Sequence, residues 1–146
     1  MKVIFTLFFL FLFGCAQQPL VKQTMSGYPE GVFKNMTVEA AKSRVIDGCT
    51  QRGIFVQEVN SNQVVCSKSL EGGDAVLTKL MIGNSYSTRP DVKVRFVIYQ
   101  IGQDAKVSAQ QWVETQMAFG QMQRMELNEN NQRNDMQQFL FSLGAR

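Results

Sequence analysis

The sequence predicts an α+β domain, a two-layer sandwich in which one antiparallel sheet of about five strands packs against an N-terminal and a C-terminal helix. Three observations support this class. Apolar stripes at helical spacing lie near both ends of residues 37–146, and strand-like runs joined by short polar turns fill the interval. A single sheet with its helices on one face is the simplest arrangement that buries both stripes, in the order α-β-β-β-β-β-α.

The first predicted helix begins after Thr37, a residue type that caps helix N-termini, and has Glu39 in its first turn. Its apolar stripe recurs at helical spacing and consists of Val38, Ala41, Val45 and Cys49. Gly53 is a natural end for this helix. Residues 54–59 and 63–68 are strand-like runs around Asn60-Ser61-Asn62, which is typical of a hairpin.

Three further strands and a final helix are predicted downstream. Residues 75–82 are predicted as a strand, with Val76, Leu80 and Ile82 on one face and Lys79 on the other. Residues 92–101 and 106–117 alternate in polarity around a Gly-Gln-Asp turn, which indicates a second hairpin. Residues 119–131 are open to three interpretations: a loop, a short strand or the start of the last helix. That helix is predicted from about Glu129 to Gly144, with one buried stripe of Met136, Phe139, Leu140 and Leu143.

The first fifteen residues are typical of an export signal. Lys2 precedes an 11-residue apolar run from Val3 to Phe13, and a run of this length is too short to span a bilayer. Leu12-Phe13-Gly14-Cys15 resembles the bacterial lipobox. That resemblance implies cleavage before Cys15, a diacylglyceryl thioether on its sulfur and acylation of the new N-terminus. The alternative is an ordinary cleaved signal with an incidental cysteine.

The resemblance divides the chain into three parts: a signal peptide at 1–14, a lipidated N-terminus with a flexible tether at 15–36, and one globular domain at 37–146. Residues 16–36 hold two prolines, two glycines and few apolar side chains, which favours an extended tether that lets the domain stand off the bilayer. Tyr28, Val32 and Phe33 are candidates for docking its last part onto the domain. Ala16 in place of Asp after the cysteine is similar to signals for delivery to the outer membrane, facing the periplasm.

With Cys15 assigned to lipid, Cys49 and Cys66 remain. In an exported protein, two remaining cysteines favour a disulfide, and closing so short a loop is worth about 3 kcal/mol. If the strand that carries Cys66 packs under the first helix, the disulfide and the helix-on-sheet packing depend on one another. Two buried free thiols are the alternative.

No pattern in the chain predicts catalysis, a cofactor or a metal. The sequence contains no His, which excludes Ser-His-Asp triads, Cys-His pairs and most zinc sites. Asp74, Asp91 and Glu114 are the carboxylates considered for acid–base work, but nothing in the sequence brings them together. A net charge of +3 gives no strong reason to expect nucleic acid as a partner.

The candidate binding surface lies across the second hairpin. Lys93, Arg95 and Lys106, with Arg89 before them, form a basic strip beside the aromatic residues Trp112, Tyr99 and Tyr86. Such residues are enriched in interface centres, although a solvated sheet face would carry the same pattern.

The element order resembles that of helix-grip domains in envelope lipoproteins, such as the BamC component of the outer-membrane assembly machinery. The anchor, the tether and the lack of a catalytic pattern favour a non-catalytic binding or assembly module in the envelope as the first hypothesis. A cell-wall or small-ligand binding domain on the same lipid anchor is the second hypothesis, and an enzyme is the third. A pocket between sheet and helices lined by Trp112 or the tyrosines would favour the second.

Overall fold

The computed structural model describes residues 18–83 and 87–146. Within them the chain forms six strands and three helices, which confirms the α+β class. The elements in chain order are β1 Glu30–Phe33, α1 Val38–Gln51, β2 Phe55–Val59, β3 Gln63–Ser69, α2 Gly72–Ile82, β4 Asp91–Ile101, β5 Asp104–Gln116, β6 Met122–Glu126 and α3 Asn130–Ser142. The predicted signal peptide and Cys15 lie outside the described residues.

All the strands belong to one antiparallel sheet in the order β1-β5-β4-β3-β2. The longest pairing joins β4 to β5, from Asp91 opposite Glu114 to Ile101 opposite Asp104. The last strand, β6, pairs with the C-terminal half of β5, on the edge whose N-terminal half pairs with β1. The two predicted hairpins, β2–β3 and β4–β5, are therefore confirmed, and they form the centre of the sheet.

Local sequence sets the ends of α1 and α3. The Thr37 side chain accepts a hydrogen bond from the Ala40 N–H, at 3.2 Å, and so caps α1 as predicted. At the start of α3, the Gln132 side chain accepts a hydrogen bond from the Glu129 N–H at 3.1 Å. Gly53 and Gly144, with φ of 66° and 93°, follow the two helices in the left-handed conformation that glycine adopts without strain.

The core lies between the sheet and the pair α1 and α3. Phe96, Ile98 and Leu140 are at most 1% exposed, and the Phe96 and Phe139 rings meet at a centroid distance of 5.7 Å. Met136, Phe139 and Leu143 pack against this cluster, so the stripe predicted for the last helix is its buried side. The predicted disulfide between Cys49 and Cys66 is present. It joins α1 to β3 inside this core, with the two Cα atoms 6.6 Å apart.

The strand predicted at residues 75–82 is wrong, because these residues belong to α2. A short apolar run cannot be assigned to strand or helix by periodicity alone. Alanine, leucine, lysine and methionine favour a helix in this run, and Asp74 lies in its first turn.

The count of five strands is also wrong, because β1 and β6 are added and the strand at 75–82 is lost. β1 has only four residues and lies in the segment that sequence analysis assigned to the tether. Gly31 lets the C-terminus approach it: an ideal Cβ at Gly31 would lie 2.7 Å from the Ala145 Cβ. Val32 and Arg146 then exchange two backbone hydrogen bonds, of 2.8 and 3.1 Å. Of the three residues proposed to dock the tether, Phe33 is 1% exposed.

Candidate functional site

The predicted surface residues lie on the face of the sheet opposite α1 and α3, which we call the open face. Because Val94, Phe96 and Ile98 of β4 point into the core, Lys93, Arg95 and Tyr99 point to the other side. The register then pairs Lys93 with Trp112 and Tyr99 with Lys106. The structure therefore brings all five of these predicted residues together on one face.

Trp112 is at the centre of the open face and is clamped between two guanidinium groups. The Arg95 Cζ lies 5.4 Å from the Trp112 ring centroid and the Arg124 Cζ lies 4.1 Å from it, one contributed by β4 and the other by β6. The indole Nε1 donates to the Glu114 Oε2 at 2.7 Å. These contacts leave Trp112 only 4% exposed, so the outer layer of the face consists of the cations and not of the indole.

Most of the predicted basic strip is neutralised by carboxylates. Lys93 forms an ion pair with Glu114, and the Lys106 Nζ lies 2.8 Å from the Glu30 Oε2. Arg89 precedes β4, and its guanidinium is 3.6 Å from the Glu71 carboxylate. Tyr86 lies outside the described residues. The Arg95 Nε, by contrast, is buried and has no hydrogen-bond partner.

Arg124 and Glu126 also belong to this site but were not predicted from the sequence, and Tyr28, which was expected only to dock the tether, borders it as well. The Gln110 Nε2 donates to the Glu126 Oε1 at 2.8 Å and to the Tyr28 hydroxyl at 3.4 Å, so both side chains border the Trp112 clamp. The signal for Arg124 was present, because Met122, Arg124 and Glu126 alternate as one face of a short strand. That signal was obscured because residues 119–131 fitted three interpretations equally well.

The structure brings two of the three considered carboxylates together. Asp91 and Glu114 are partners across β4 and β5, and they line a cleft of about 220 Å³ with Lys93 and Arg89. Each carboxylate already has a partner, because Ser69 Oγ donates to Asp91 and Lys93 pairs with Glu114. Asp74 lies apart from them in the first turn of α2.

Hydrogen bonds and charge keep Glu114 ionised. Burial acts to raise the pKa of Glu114. The hydrogen bonds from Lys93 and Trp112, with the charges of Lys93 and Arg124, outweigh that effect and leave the pKa below 4.5. The pKa of Glu30 is lowered in the same way, since bonds from Lys106 and Ser26 outweigh its burial. A carboxylate with a lowered pKa is a poor proton donor near neutral pH, so Glu114 fits an ion pair with Lys93 better than a general acid. Among the described residues, no group of three or more Cys, Asp or Glu is placed to hold a metal ion.

We expect Glu114→Gln to weaken the dependence of stability on acid. Glu114 has a lower pKa in the folded state than the ordinary 4.5, so its contribution is present above about pH 4.5 and is lost as the pH falls through its folded-state pKa. At pH 7 the free energy of unfolding of the variant should be about 1–3 kcal/mol lower than that of wild type, because Lys93 loses its anion. On acidification below about pH 4, the free energy of unfolding should fall less for the variant than for wild type. Urea unfolding at several pH values measures this.

Glu71→Gln is the matched control, since Glu71 is exposed and pairs with Arg89 only at 3.6 Å. Parallel curves of stability against pH for wild type and Glu114→Gln would contradict the prediction, because they would show that ionised Glu114 contributes nothing to the pH dependence of stability.

A second cavity lies on the helix side of the sheet. A groove of about 580 Å³ is lined by the apolar residues Ile54, Phe55, Leu70, Val92 and Val94 and by the polar or charged residues Lys68, Ser69, Glu71 and Asp74. It adjoins a cleft of about 250 Å³ that reaches Met136, Phe139 and the disulfide, and both share Ile54 and Val94. Among the described residues, neither Trp112 nor a tyrosine lines these cavities.

Comparison with known proteins does not extend this picture. No model of a protein family matches the chain, and no curated protein or solved structure is significantly similar to it. Within the described ranges, no helix has the length and apolar character needed to cross a bilayer.

Proposed function

We propose that the chain is a non-catalytic lipoprotein, anchored to the outer membrane through Cys15 and facing the periplasm, whose open face binds another envelope component. The lipobox-like sequence at residues 12–15 supports the anchor. The observation that carries the binding role is the clamp of Arg95 and Arg124 on Trp112, because aromatic and arginine side chains dominate interface hot spots.

The chemistry of the clamp favours an acidic partner. The Arg124 side chain is 38% exposed and contacts Glu126 only at 3.3 Å. A carboxylate or phosphate of a partner can therefore bind this guanidinium group with charge-assisted hydrogen bonds. Tyr99, 42% exposed on the same face, adds an aromatic contact.

A second function is binding of the cell wall or of a small ligand, and the helix-side groove favours it. Its volume of about 580 Å³ falls in the range of small-molecule sites, and its lining combines apolar side chains with Lys68, Glu71 and Asp74, which suits a ligand with both apolar and charged groups.

Photo-crosslinking in living cells distinguishes the two functions. A photoreactive amino acid at Tyr99 should yield a discrete adduct, and the double variant Arg95→Glu, Arg124→Glu should reduce it at least about tenfold by reversing the charge that the partner contacts. Arg44→Glu, which reverses one exposed charge on α1, should leave the adduct unchanged and is the matched control for each single variant, Arg95→Glu or Arg124→Glu. A probe at Lys68 reports on the groove. Adducts from Lys68 but not from Tyr99 would contradict the open-face proposal and favour the ligand-binding function.

A further inference from the structure

The N-terminal segment, which we define as residues 18–29, is held against α3. The Gln18 carbonyl accepts a hydrogen bond from Asn130 Nδ2 at 2.8 Å. Asn134 binds the segment twice: its Nδ2 donates to the Pro19 carbonyl at 2.9 Å, and its Oδ1 accepts from the Val21 N–H at 2.8 Å. Since Asn134 is itself only 9% exposed, these bonds fix Gln18 beside the first turn of α3.

This attachment limits the distance between the domain and the lipid. Only Ala16 and Gln17 separate Cys15 from Gln18, so a fully extended chain places the Cys15 Cα no more than about 11 Å from the Gln18 Cα. A larger separation requires the bonds to Asn130 and Asn134 to break. A lipid on Cys15 would therefore hold the domain close to the bilayer, unlike the extended tether expected from composition.

The surface of the N-terminal segment suits a lipid interface. Met25 is fully exposed and Val21 is 51% exposed, although both are apolar. Lys22 lies between them in sequence; it lines one pocket with Phe141 and Arg146, and its Nζ donates to the Glu30 carbonyl at 2.9 Å. Residues 16–29 contain no Asp or Glu. Exposed apolar side chains next to cations are typical of segments that lie at the headgroup level of anionic bilayers.

We propose that residues 21–25 and Arg146 lie on the bilayer that holds the Cys15 lipid, so that the β1 and α3 side of the domain faces the membrane. This inference depends on the proposed lipid anchor. It places β2, at the opposite edge of the sheet, farthest from the membrane.

Depth-dependent fluorescence quenching tests the orientation. With Cys15 acylated and Cys49 bound to Cys66, an introduced cysteine is the one free thiol available for an environment-sensitive dye. The lipidated Met25→Cys and Phe55→Cys proteins are labelled and reconstituted in phosphatidylethanolamine–phosphatidylglycerol vesicles that carry a quencher just below the headgroups. Position 55, 77% exposed on β2, is the matched control. The dye at position 25 should be quenched at least about threefold more than the dye at position 55.

Two further variants keep the result interpretable. Val21→Cys should reproduce the quenching at position 25, and a flexible insertion of about 12 residues between Gln17 and Gln18 should reduce it by removing the short linkage. Proteins that fail to sediment with the vesicles would contradict the lipid anchor itself. Proteins that sediment but show equal quenching at positions 25 and 55 would overturn the orientation and leave the anchor in place.

Discussion

Replacing Cys15 by Ser is expected to shift the protein almost completely from the membrane fraction to the soluble periplasmic fraction. Membrane affinity grows by about 0.8 kcal/mol for each buried CH₂, so two or more acyl chains hold a protein stably whereas one holds it only marginally. The Cys15→Ser variant lacks the thiol to which the diacylglyceryl group is attached. Fractionation after a high-salt wash, followed by immunoblotting, measures the change.

A second variant separates loss of the lipid from retention of the leader. Exchanging residues 1–15 for the cleavable signal of a soluble secreted protein removes the lipidated cysteine and also avoids an uncleaved signal peptide. The product of this exchange should be fully soluble. If this exchanged form still fractionated with membranes, the lipid at Cys15 would not be the anchor.

Removing the disulfide should produce the largest change in stability. Cys49 and Cys66 lie 17 residues apart in sequence and are at most 1% exposed, and closing such a loop stabilises the fold by about 3 kcal/mol. The double variant Cys49→Ala, Cys66→Ala should therefore lower the melting temperature by about 10 °C, since 1 kcal/mol corresponds to a few degrees in a domain of this size. The double replacement avoids leaving one buried thiol without its partner.

Wild-type protein unfolded in the presence of a reductant is the matched control, and it should show a similar decrease. A melting temperature that neither treatment changes would mean that the covalent link between α1 and β3 does not contribute to stability. The helix-on-sheet packing would then be maintained by apolar burial alone.

The central part of the fold could be predicted from sequence because local signals agree there. Thr37, the apolar stripe of α1 and Gly53 independently mark one helix, and polarity alternates along residues 92–101 and 106–117 on both sides of a short turn. The disulfide could be predicted because Cys49 belongs to the apolar stripe of a helix and Cys66 to the apolar side of a strand. Both side chains were therefore expected to face the core. Each of these signals lies within a few residues of the structure that it specifies.

The remaining elements depend on contacts that are distant in sequence. β1 forms because Gly31 admits the C-terminal residues Ala145 and Arg146 next to it, and β6 forms because the C-terminal half of β5 extends beyond β1. Neither partner can be identified from a four- or five-residue stretch. The error in α2 has a different cause, since a run of apolar residues satisfies helical and strand patterns equally.

The candidate site also combines features that local sequence predicts with features that depend on contacts distant in sequence. Alternation along β4 and β5 placed Lys93, Arg95, Tyr99, Lys106 and Trp112 on one face, as the structure has them. The ion pair of Lys106 with Glu30 and the approach of Arg124 to Trp112 depend on β1 and β6, the two strands that were not predicted. The surface therefore looked more basic in sequence than it is in the folded domain.

The most direct test of the proposed lipoprotein is the intact mass of the native protein extracted from membranes without reductant. We expect a chain that begins at Cys15, carries a diacylglyceryl group and an N-linked acyl chain, and weighs two hydrogens less than its reduced form because of the Cys49–Cys66 bond. A chain with an unmodified thiol at Cys15, or one that retains residues 1–14, would contradict the proposal.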